Sequence, residues 1–228
     1  MPPFESFITV RKMRANSYRS TTFSVEEDSN DYDYEAAKAA ELQSICDEQI
    51  RAYMAMQDVY MATFAKLSTD VCNSISTQAR EMRNYTSTSL SYGDLDYVSF
   101  GSLICSLTKQ GIDLGNLSSF VDLGSGVGKT VISAALLGIF EKCTGIEIVA
   151  ELHKTSTLML KQFYRHNQNN SEVVAIEFIA GDAAFIDWSH ADMVFAHATC
   201  FDEVNMKRIA DTACKMKENS IFITISNK

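Results

Sequence analysis

The residues with the greatest capacity for chemistry stand together in Phe120-Val121-Asp122-Leu123-Gly124-Ser125-Gly126-Val127-Gly128-Lys129-Thr130. Three glycines at alternate positions follow a short apolar run and precede the apolar residues 131–140, a pattern that predicts strand, tight loop and helix. Glycine lets the backbone take positive φ or come close to a bound molecule, and a helix start offers unpaired N–H groups, so the loop is a cradle for a ligand. Two phosphate-binding patterns fall short of it. A P-loop needs four residues between its first glycine and Gly-Lys-Ser/Thr, and Gly124 stands one residue too close to Gly128. Gly-x-Gly-x-x-Gly fails because the third glycine comes one place early. Further on, Cys143-Thr144-Gly145-Ile146-Glu147-Ile148 reads as a second strand that ends in an acid, and a carboxylate can accept both hydroxyls of a ribose edge.

The surviving pattern, Asp-x-Gly-x-Gly-x-Gly, resembles the glycine motif of class I S-adenosylmethionine-dependent methyltransferases. The resemblance implies S-adenosyl-L-methionine as cofactor, with Asp122 near its methionine end, Gly124, Gly126 and Gly128 in the cradle, and Glu147 on the ribose hydroxyls. Ahead of the loop, Tyr92-Gly93-Asp94 resembles the Tyr-Gly-Glu segment of the histone-lysine methyltransferases of the disruptor-of-telomeric-silencing type, in which this loop folds over the cofactor. Asp94 is a shorter carboxylate than the family's glutamate. Asp182, after Gly181, matches the acid that meets the adenine amino group, while Phe185 is left out as a stacking partner. The segment His197-Ala198-Thr199-Cys200-Phe201 falls where those enzymes carry Asn-Asn-Phe-Ala-Phe, and only Phe201 matches. His197, Thr199 and Phe201 are therefore the catalytic candidates in an altered substrate loop. His197 and Cys200 have no second pair to complete a metal site, and no metal is expected.

These residues need a sheet to hold them. Helix over 150–167, strand over 173–180, strand over 193–196, helix over 202–217 and strand over 220–226 continue the alternation begun at the glycine loop. The expected fold is a Rossmann-like α/β class I methyltransferase sheet with helices on both faces, preceded by a helical N-terminal region. Class I sheets have the strand order 3-2-1-4-5-7-6, so the last two strands are missing, and the edge of the fifth calls for a partner or a further segment. Residues 1–33 read as a disordered tail, 34–90 as helical and 91–228 as the methyltransferase domain. Met56, Tyr60, Phe64, Leu67, Val71 and Ile75 line one helical face, which predicts one long helix or two with a bend. That face is either a substrate-facing or dimerising arm or a stripe packed on the catalytic domain.

Composition sets the outer limits. A chain of 228 residues, 46% hydrophobic, suffices for one α/β domain and a smaller appendage. With 20 basic against 29 acidic residues, neither half supplies a field for nucleic acid, and no direct nucleic-acid binding is expected. No apolar run approaches a bilayer span, so no membrane association is expected. Six scattered cysteines predict reduced thiols and an intracellular setting, nucleus or cytoplasm. The expected reaction is protein-lysine N-methylation, with a histone among the possible protein substrates. The alternatives are a non-catalytic cofactor-binding scaffold and a P-loop-like nucleotide-binding protein.

Overall fold

A computed structural model describes residues 6–13, 47–82, 93–168 and 174–227. Its centre is a six-stranded sheet of β1 (Ser6–Lys12), β2 (Ser119–Leu123), β3 (Lys142–Glu147), β4 (Ala175–Ala180), β5 (Met193–His197) and β6 (Ile221–Asn227), in the order β1-β6-β5-β2-β3-β4. β2 to β6 run parallel, and β1 pairs antiparallel with β6. The central strands β2 and β5 are buried on both faces, as strands inside a parallel sheet covered by helices are, and the burial of β2 includes Asp122 among its apolar neighbours.

Helices complete the alternation. The described part of α1 covers residues 47–55, followed by α2 (Gln57–Thr63), α3 (Thr69–Met82), α4 (Tyr97–Lys109), α5 (Lys129–Leu136), α6 (Ala150–His166) and α7 (Glu203–Ala213). One face of the sheet packs Phe120, Phe195, Ile223 and Ile225 with α1 to α6, and the other packs Val121, Val194, Phe222 and Trp188 with α7. This is the expected α/β sheet with helices on both faces.

Three expectations change. The tail reading fails at Ser6–Lys12, whose consecutive β-branched residues Ile8, Thr9 and Val10 suit a strand that pairs in register from Ser6↔Asn227 to Lys12↔Ile221. The fifth-strand edge is consequently covered by an N-terminal strand rather than left open or given to a partner. The remainder of the predicted tail lies outside the described residues. Second, the N-terminal helical run breaks at Met56 and again between Thr63 and Thr69, with no proline or glycine at either break. The second break changes the phase of the apolar stripe: Tyr60 and Phe64 are buried, but α3 buries Cys72, Ser76 and Ala79 while Val71 is exposed. Third, Cys105 is disulfide-bonded, against the expectation of reduced thiols throughout.

The N-terminal helices are packed on the sheet's own helices. Tyr53 and Tyr97 stack with ring centroids 3.9 Å apart, and each hydroxyl donates to the other residue's carbonyl. Tyr60 leans on Tyr97 at 4.7 Å. Gly101 makes room for this, because a Cβ there would stand 2.6 Å from the Tyr53 ring. This part of the stripe is core. No helix among the described residues is long and apolar enough to cross a membrane.

Candidate functional site

The parallel strands end on one rim, and the chain reverses its direction of progress between β2 and β5, leaving a crevice beyond their carboxyl ends. Two loops flank it. On one side is the glycine loop after β2, with φ of +79° at Gly124, +56° at Gly126 and +89° at Gly128, values that L side chains rarely adopt. On the other is the 3₁₀ turn Ala198–Cys200 after β5.

The glycine loop is tied to the end of β3. The Ile146 carbonyl accepts from the Gly124 amide at 2.9 Å and the Ser125 amide at 3.0 Å. The Glu147 carboxylate accepts from the Gly126 amide through Oε2 and the Val149 amide through Oε1, both at 2.7 Å. Each oxygen keeps a further lone pair for a hydroxyl donor. Burial raises the Glu147 carboxyl above its ordinary range, and these amides oppose the shift. Asp122, 3% exposed, is the penultimate residue of β2, and burial followed by the neighbouring Glu147 pushes its carboxyl up to about 8. A buried acid beside a second carboxylate holds its proton at neutral pH and favours a cation placed beside it.

Gly128 serves packing as well as the turn. A Cβ there would stand 2.5 Å from the Phe178 ring, and one on Gly145 would stand 2.7 Å from the same ring. Phe178 thus packs under the loop, a relation hidden in the sequence because β4 is remote from it. α5 starts directly after Gly128 without a side-chain cap, leaving its first amides beside the loop.

The segment of residues 93–96 lies between the crevice walls. A Cβ on Gly93 would be 3.0 Å from the His197 ring. Asp94 Oδ2 is 2.5 Å from Lys129 Nζ, and both side chains are largely buried. Asp96 caps α4 by accepting from the Ser99 amide at 3.0 Å. Tyr92 lies outside the described residues. The pairing of Asp94 with Lys129 escaped the sequence reading, since no local pattern links residues so far apart.

His197 and Phe201 stand at the same rim. A Cβ on Gly124 would meet the Phe201 ring at 3.3 Å, and Thr199 Oγ1 is 3.3 Å from His197 Nδ1. Burial lowers the His197 pKa, opposed by a backbone hydrogen bond and by Asp94, so the imidazole is neutral at pH 7. Asp182 follows β4, whose Ala180 pairs with Glu147, and Asp182 Oδ1 accepts from the Ala184 amide at 2.8 Å. Phe185 is 71% exposed and has Arg208 4.5 Å over its ring, away from any stacking role at the rim. The structure therefore gathers Gly93, Asp94, the glycine loop, Glu147, His197 and Phe201, with Asp182 further along the rim.

Among solved structures, YcgJ from Bacillus subtilis is 16% identical with a TM-score of 0.42, the match covering 56% of this chain and 50% of that one. An RNA methyltransferase from Salinibacter ruber, crystallised with S-adenosyl-L-homocysteine, is 24% identical at TM-score 0.41, covering 54% and 72%. YjhP from Escherichia coli is 16% identical at TM-score 0.41, covering 66% and 54%. The chain thus spans about half the length of YcgJ and YjhP. No curated protein matches its sequence. Residues 72–227 match the family described as "Histone methylation protein DOT1", a match that takes in both rim loops and β2 to β6, and the chain belongs to that family.

Proposed function

We propose that the chain is an S-adenosylmethionine-dependent methyltransferase acting on a protein lysine, a histone lysine in the first instance. The observation that carries this reading is the joining of the glycine loop to β3 through Glu147, with Asp122 buried beside it and the His197–Phe201 turn facing it across the crevice. The cofactor would supply a methyl group activated on a sulfonium. Asp122 would hold its cationic end, Glu147 its ribose hydroxyls, and Asp182 its adenine.

The chain's own work is then to bind, orient and exclude water, because methyl transfer is an in-line displacement that needs no obligatory acid–base pair. A lysine nucleophile must lose its proton, which at a pKa near 10.4 costs about 4–5 kcal/mol at pH 7. An apolar wall lowers that cost by penalising the ammonium form, and Phe201 supplies one. Neutral His197 accepts a hydrogen bond from the amine and Thr199 fixes its ring, which gives the altered loop a positioning role in place of the family's asparagine. The P-loop alternative loses ground because Lys129, which would have to reach a phosphate, is engaged with Asp94.

Incubation with methyl-labelled cofactor and free histones tests the reading. Label on lysine that disappears in Glu147→Ala is expected. Tight cofactor binding with no labelled protein, from histones or from cell extract, would leave the scaffold reading in its place.

A further inference from the structure

The segment of residues 93–96 bridges the two walls of the crevice, and one side chain from outside the expected cofactor set fastens it. Gly93 abuts His197 on the β5 side, where a single added methyl would stand 3.0 Å from the ring. One residue later Asp94 reaches Lys129, the first residue of α5 after the glycine loop, at 2.5 Å. Thr69 Oγ1, from the start of α3, stands 3.4 and 3.5 Å from the two Asp94 oxygens. The side chains of Lys129 and Asp94 are only 11% and 15% exposed, so the pair is shielded from water. Removing one partner of such a pair leaves a buried charge unmatched, whereas removing both does not.

Resting on the cofactor reading above, we propose that Lys129 is a positioning residue that holds the 93–96 segment across the mouth of the glycine loop through Asp94. The N-terminal helices join the site through the same carboxylate, by way of Thr69. Lys129 itself touches no reacting atom: it acts on the ligand through the segment it holds. Cofactor capture and segment closure then become one event, and charge at position 129 sets how firmly the segment closes.

A double-mutant cycle of Lys129→Met, Asp94→Asn and both together tests this, read by titration calorimetry with S-adenosylhomocysteine and by amide hydrogen exchange of residues 93–96 with and without that ligand. Each single variant is expected to bind at least tenfold more weakly, with the double variant no worse than the weaker single, and ligand-induced protection of 93–96 is expected to vanish in all three. Lys129→Arg should retain most of both. A purely structural role would lower stability without this loss of ligand-induced protection. If Lys129→Met does not fold, Lys129→Gln is read in its place with the same expectations. Penalties that multiply in the double variant, or wild-type affinity and protection in Lys129→Met, would overturn the proposal. Failure of the wild type to bind S-adenosylhomocysteine would count against the cofactor reading instead. The ligand-free exchange data still decide the pair in that case, since 93–96 must exchange faster in Lys129→Met than in the wild type.

Discussion

Asp122 concentrates the conflict between stability and function in one carboxyl. An acid raised to about 8 carries an extra proton in the folded state between its unfolded pKa, near 3.9, and that value. Stability of the unliganded protein should therefore fall as pH climbs through this window and level off above it. Asp122→Asn is expected to flatten the profile, raise the melting temperature at pH 8 and weaken cofactor binding at least tenfold. Thermal melts across pH and calorimetry check the three effects together. A cation bound beside Asp122 would expel its proton, so calorimetry at pH 7 in buffers of different ionisation enthalpy should report about one proton released by the wild type and none by the variant. Gly128 is constrained twice, by φ of +89° and by Phe178 at 2.5 Å from any Cβ. Gly128→Ala is expected to cost roughly 2–5 kcal/mol in urea unfolding, combining backbone strain and overpacking. Gly111→Ala, with φ of +77° but nothing within 4 Å, should cost only about 1 kcal/mol.

At the scale of elements, the parts legible in the sequence were those whose cause is local. Glycines that alternate before an apolar helix, and a strand that ends in Glu147, announce themselves because turn and strand each need those residue types there. β1 was not legible: its seven residues sit among basic and serine-rich sequence, and what makes them a strand is the unpaired edge of β6, remote in the chain. The same holds for Asp94 with Lys129 and for Phe178 under Gly128 and Gly145, where the partner is fixed only by the fold. Asp192, before β5, was missed for this reason too. Burial would raise its carboxyl, but Lys217 and the hydroxyls and amides of Ser118 and Ser119 outweigh that and hold it at about 2. For a depressed acid the stabilisation is present above the unfolded value near 3.9 and is lost as pH falls toward 2. Asp192→Asn should cost about 2 kcal/mol at pH 7 and flatten the acid limb of the stability curve over that interval.

For the whole molecule, charge decides which form of substrate the site meets. A net charge of −9 opposes the phosphates of DNA and favours cationic protein surfaces. Free histone is accordingly expected to be methylated at least tenfold faster than histone within nucleosomes, and comparable rates, with salt-dependent submicromolar nucleosome binding, would refute this. Beneath substrate choice lies the identity of the ligand at the glycine loop, which titration calorimetry with S-adenosylmethionine and with ATP, on the wild type and on Glu147→Ala, tests most directly. The expected result is binding of the adenosyl cofactor that Glu147→Ala weakens at least tenfold, with no measurable heat from ATP. Binding of ATP that depends on Lys129, with none of S-adenosylmethionine, would contradict it.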